Sequence, residues 1–174
     1  MWLDCITGAR PSELLGVRLR SIDFKRNCIW IVEAVNNSRI HTPKSHRSNR
    51  PIQLTEGDME QLRKFLAKRP NAAPDDWIFP SNRVHGPRQY ASIMTRRIQP
   101  KVKELGLPHV TWRLFRHWHA TYLVDANVPV KATQERMGHS RSELTLKYYV
   151  HLTSFAGTLA AQTMSSAFKN NVEN

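Results

Sequence analysis

The stretch TGARPSELLGV, residues 7–17, places an arginine between a glycine turn and a proline, where a helix should begin. Proline is well tolerated at the first helical position, and Glu13 suits the first turn. Arg10 then stands beside the free backbone N–H groups of a helix start, which already favour anions. A salt bridge to Glu13 would satisfy the arginine locally. A bound phosphate would explain why a full positive charge is added to a place already positive. The rest of the chain bears on that choice.

The 174 residues are enough for one domain with a real hydrophobic core. Lysine and arginine number 26 against 14 acidic residues, a formal net charge of +12, which favours a polyanionic partner such as nucleic acid. Cys5 and Cys28 form neither a metal-ligand spacing nor a disulfide framework, so a reducing, cytoplasmic setting is expected. The longest fully apolar run, CIWIV at 28–32, is far too short to span a bilayer. No cleavable signal pattern is present at the N-terminus.

Outward from residues 7–17, the pattern predicts a helix over 11–17 and short strands at SIDF (21–24), NCIWIVE (27–33) and RPIQL (50–54). A third strand around residues 38–42 would complete a small antiparallel sheet with a strongly basic hairpin. After Leu54 the character becomes helical. Thr55 and Asp58 form a T-x-x-D start, followed by Met59, Leu62 and Leu66 at helical spacing. Residues 87–105 read as mostly helical with an interruption near Pro100. Helices follow over 111–127, over PVKATQERMG (129–138) ending at a glycine stop, and from Ser142 onward. The class is α+β, mainly helical, in a single domain.

Four basic stations stand out: Arg10; Lys44 in TPKSHRSNRPIQL; Arg113 and Arg116 in RLFR, sharing a helix face at i, i+3; and His139 in MGHS. Further on, TLKYYVH offers Tyr148 and Tyr149. Singly, each has an ordinary structural reading, as a salt-bridge arginine, a solvated hairpin lysine, a loop histidine or a core tyrosine. Together they fit attack of a tyrosine hydroxyl on a DNA phosphodiester. Guanidinium forks can neutralise the phosphoryl oxygens bidentately, and a flexible lysine ammonium can protonate the leaving alkoxide. With such cations around the phosphate, no metal or other cofactor is required. His117 and His119 in RHWHAT sit at i, i+2 on different helix faces, which argues against a zinc pair. His117 is expected to orient Arg116 or to pack beneath the site.

At these residues the sequence resembles the tyrosine recombinase (phage integrase) family over essentially its whole length. TGARPSELLGVRLRSID is similar to the first arginine box, which makes Arg10 catalytic with Glu13 in support. PKSHRSNRPIQL is similar to the lysine hairpin, with Lys44 in the catalytic slot. RLFRHWHATYLVDANVPVKATQERMGHSRSELTLKYYVH resembles the second box, from H-x-x-R through L-G-H to the tyrosine. The resemblance implies the family's catalytic-domain fold and a DNA strand-transfer enzyme working through a covalent 3′-phosphotyrosine. A type IB topoisomerase would share the chemistry, and a non-catalytic DNA-binding relative is the alternative from another class.

The match has departures. Arg113 stands where the family usually has histidine; arginine donates to a phosphate oxygen but is a poor proton shuttle. A spacing of nine from His139 selects Tyr148, whereas the pattern T-L-x-x-Y-x-H selects Tyr149 and puts Leu146 and His151 in register, so Tyr149 is preferred. Family members carry more helix before the first box and a DNA-clamping N-terminal domain, so residues 1–174 read as an isolated catalytic domain. Lys25, Arg47, Arg50, Arg96 and Arg97 are expected to contact flanking phosphates. The partner implied is double-stranded DNA, bound as a homotetramer, with the tail 152–168 packed on its own domain or docked on a neighbour. No membrane association is expected.

Overall fold

The computed structural model describes residues 2–36, 39–41, 49–82, 86–139 and 162. The chain opens with α1 (Trp2–Thr7) and α2 (Pro11–Leu15), separated by the turn at Gly8, whose φ of 59° is left-handed. A Cβ at Gly8 would collide with the His119 ring, so only glycine allows this backbone to pass over that imidazole.

Three short strands, β1 (Ile22–Asp23), β2 (Cys28–Ile31) and β3 (Ala34–Asn36), follow, then β4 (Arg39–His41) and β5 (Arg50–Gln53). β1, β2 and β5 form an antiparallel sheet in that order, with Ile29 opposite Ile22 on one side and Ile52 on the other. The expected third strand exists as β4, but among the described residues it does not join this sheet and pairs with β3 alone, Val35 opposite Ile40, as a separate two-stranded ribbon. All three residues of β4 are exposed, so it has no apolar face with which to pack.

α3 (Glu56–Leu66) starts where the sequence indicated. Thr55 Oγ1 accepts the Asp58 N–H at 3.1 Å and Asp58 Oδ2 accepts the Thr55 N–H at 3.2 Å, a reciprocal cap. Its Met59 and Leu62 join Leu14, Val17, Ile29, Ile52 and Ile78 in the main core, with Leu66 packed at the margin. α4 (Tyr90–Ile93) runs through a π-helical turn (Met94–Ile98) into α5 (Gln99–Glu104). The interruption expected near Pro100 therefore lies just before it, and Pro100 occupies the first turn of α5, where its missing N–H costs little. Met94, Ile98, Val102 and Trp112 form a second, smaller cluster.

α6 (Trp112–Asp125) packs on α1 and α7. α7 (Val130–Met137) ends at Gly138, again left-handed at a φ of 62°. This α+β, mainly helical arrangement brings the starts of α2 and β5, the second turn of α6 and the end of α7 together. Lys44, Arg47, Tyr148, Tyr149, the helix expected from Ser142 and the tail 152–168 lie outside the described residues, Gln162 apart.

Candidate active site

Arg10 immediately precedes α2, and Glu13 reaches back to it. Glu13 Oε2 accepts the Arg10 backbone N–H at 2.9 Å, and Glu13 Oε1 accepts its guanidinium at 2.8 Å. The salt bridge considered from the sequence is therefore present, but it does not exhaust the arginine. Arg10 Nη2 donates to the Gly138 carbonyl at 3.1 Å, and 42% of its side chain remains exposed.

Arg116 enters from α6. Its Nη2 donates to the Met137 carbonyl at 2.7 Å, and its Nη1 donates to the Gly8 carbonyl. Two arginines 106 positions apart in the chain thus sit on the successive carbonyls of Met137 and Gly138. His139 is the next residue, and its backbone N–H donates to Gln134 at 3.1 Å. Burial pushes the His139 pKa down to about 4, reinforced by Arg116, Arg10 and Arg50 and opposed by Glu13. The imidazole is accordingly neutral at pH 7, able to offer one nitrogen as donor and the other as acceptor.

Arg113 is exposed on α6, three residues before Arg116. Lys25, in the turn between β1 and β2, is exposed, as are Arg96 and Arg97 on the π-helical turn. Arg50 differs from its expected role. It is buried, not presented to solvent, because its guanidinium is committed to internal acceptors: Glu13 Oε2 at 2.9 Å, the Arg136 carbonyl at 2.9 Å and the Met137 carbonyl at 3.3 Å. Burial works to raise the Glu13 pKa, but hydrogen bonds and charge from Arg50 and Arg10 win and hold it below the ordinary value.

His117, expected to orient Arg116 or to pack beneath the site, is exposed, and the ring packed beneath the site is His119. Two residues along a helix rotate the side chain by about 200°, which separates the two histidines as i, i+2 implied. His119 Nδ1 donates to the Cys5 carbonyl at 2.7 Å, and burial lowers its pKa to about 4. Arg136 was not singled out in the sequence, yet it ties α7 to its neighbours through the Gln53 carbonyl at 2.8 Å and the Ile6 carbonyl at 2.7 Å. Its only sequence signal was position in the last turn of a helix, where cations are favourable. Among the described residues, no group of three or more His, Cys, Asp or Glu side chains could hold a metal ion.

Two arginines and a neutral histidine converge on one turn backed by a buried carboxylate, an arrangement with the chemistry to hold an oxyanion. The chain belongs to the phage integrase family, whose model matches residues 1–154. It is 30% identical to the transposase from transposon Tn916 of Enterococcus faecalis, over 84% of this chain and 40% of that protein. It is 27% identical to the tyrosine recombinase XerC of Corynebacterium glutamicum, over 85% of this chain and 44% of that protein. The structure of the Tn1549 transposon integrase in complex with circular intermediate DNA matches with a TM-score of 0.77 at 27% identity, covering 92% of this chain and 59% of that one. The fold is that of a tyrosine recombinase catalytic domain. The chain spans less than half the length of these two curated relatives. Among the described residues, no helix is long and apolar enough to cross a membrane.

Proposed function

We propose that this protein cuts and rejoins duplex DNA at specific sites through a covalent phosphotyrosine. The Tyr149 oxygen attacks phosphorus, the bond to the deoxyribose 5′ oxygen breaks, and the enzyme is left joined to the 3′ phosphate. Lys44 gives its proton to the departing 5′ oxygen. The phenol proton leaves through His139 or solvent, so the protons balance. Arg10, Arg113 and Arg116 carry the negative charge that builds on the non-bridging oxygens. The 5′ hydroxyl of another strand then reverses the step, with no external energy source, because the phosphodiester energy is kept in the intermediate.

The observation that carries this reading is the pairing of Arg10 and Arg116 on adjacent carbonyls, one residue before His139. Names of relatives point the same way: a transposase, tyrosine recombinases and an integrase held on DNA. On this reading Lys25, Arg47, Arg96 and Arg97 hold flanking phosphates. Four copies assemble on paired duplexes in the bacterial cytoplasm, with segment 152–168 docked on a neighbouring copy.

The test incubates the protein with nicked suicide duplexes carrying the candidate attachment site, in the presence of EDTA, followed by a denaturing gel. A covalent adduct should form, persist in Tyr148→Phe and vanish in Tyr149→Phe. No adduct on cognate DNA would overturn the reading, and loss only in Tyr148→Phe would move the nucleophile by one residue.

A further inference from the structure

We infer that Arg50 is a positioning residue for this site, setting where Arg10, Arg116 and His139 stand by holding Glu13 and the end of α7. The inference rests on the chemistry proposed above. Only 8% of the Arg50 side chain is exposed, so phosphate cannot reach it without displacing its partners. Its Nε donates to the Arg136 carbonyl at 2.9 Å, Nη1 to Glu13 Oε1 at 3.3 Å, and Nη2 to Glu13 Oε2 at 2.9 Å and the Met137 carbonyl at 3.3 Å. Those acceptors are shared. Glu13 Oε1 also takes Arg10 at 2.8 Å, and the Met137 carbonyl also takes Arg116 at 2.7 Å.

A closed ring results: Arg50 to Glu13 to Arg10 to Gly138, and back through Met137 to Arg50, with Arg116 attached at Met137. Moving Arg50 therefore moves an acceptor of each of the other two arginines. Gly138 fits the same arrangement, since a Cβ there would run into the Arg50 guanidinium. The turn that delivers His139 is shaped around that group. Lysine could supply the charge but not a planar fork reaching four directions. Among the described residues, the charged groups acting on His139 include Arg116, Arg10, Arg50 and Glu13, so Arg50 also contributes to keeping the imidazole neutral.

The experiment compares the full chain with Arg50→Lys and Arg50→Gln, after circular dichroism and melting establish which variants are folded. Single-turnover cleavage of the nicked duplex is measured against DNA concentration, and the His139 ring is titrated by NMR. For folded Arg50→Lys the maximal rate should fall roughly 10- to 100-fold, as misplacement of catalytic groups by about an ångström does. The half-saturating DNA concentration should stay within about twofold. His139 should titrate at higher pH in both variants, because a loosened turn rehydrates the ring and glutamine also removes a cation. A folded Arg50→Lys with the wild-type maximal rate overturns the inference, as does a loss confined to the half-saturating concentration. If wild type forms no adduct, the proposed chemistry fails separately. The inference then stands or falls on whether His139 shifts.

Discussion

Asp4 is fully buried on α1, and among the described residues neither carboxylate oxygen meets a hydrogen-bond donor. Burial drives its pKa to about 7, against the partly compensating charge of Arg116. The folded state therefore holds a proton that the unfolded chain has already lost, and this group makes stability fall as pH rises from about 4 to about 7. Asparagine keeps the shape and never ionises. Asp4→Asn should gain on wild type across that window, by as much as about 4 kcal/mol at its upper end in urea melts at stepped pH. Glu13 has the opposite sign. Its folded pKa is lowered, so its contribution is present above the ordinary glutamate range and is lost as pH falls through the folded value. Glu13→Ala strands Arg50 as a buried, uncompensated cation and should cost about 3–5 kcal/mol in the same melts at pH 7. At this scale the sequence was legible where partners lie within one turn, as in Arg10 and Glu13. It was silent where they do not: nothing in RPIQL distinguishes Arg50 from any other arginine of the chain. Its burial depends on Glu13 and the end of α7, 37 residues before it and 86 after it.

Among the elements, local rules worked wherever a helix had both an end signal and an apolar period. Thr55 and Asp58 announced α3, Met59 and Leu62 gave its buried face, and Gly138 stopped α7. The two oxygens of the Thr55–Asp58 cap satisfy N–H groups that would otherwise be free at the helix start, so Thr55→Ala should destabilise by about 1 kcal/mol, read as a lower midpoint in urea with an unchanged slope. β-Pairing was less legible. β4 obeys strand composition, but which strand it joins depends on apolar burial, and an exposed Arg39–Ile40–His41 supplies none; the ribbon with β3 is the result. The interruption in residues 87–105 was visible through Pro100, yet its form, a π turn upstream, keeps Met94 and Ile98 on the face that meets Trp112. Packing decided that detail.

For the molecule as a whole, the net charge of +12 is divided between cations with different employment. Arg10, Arg50 and Arg116 hold Glu13 of α2 or carbonyls at the end of α7, and Arg136 holds the Gln53 and Ile6 carbonyls, whereas Arg96 and Arg97 project from the π-helical turn into solvent. Phosphate neutralisation releases counterions, so on duplex DNA the logarithm of the binding constant should fall linearly with the logarithm of salt concentration, with a slope of about −0.9 per phosphate contacted. Each exposed arginine that holds a phosphate contributes one such unit, while a buried one contributes none. Fluorescence anisotropy on a labelled duplex between about 50 and 200 mM salt measures that slope. The double replacement Arg96→Ala, Arg97→Ala should weaken binding and shallow the slope by about 2, whereas Arg50→Lys should leave it unchanged. A slope unmoved by the double replacement would place the DNA on another face, and a slope shallowed by Arg50→Lys would mean the guanidinium leaves Glu13 when DNA binds.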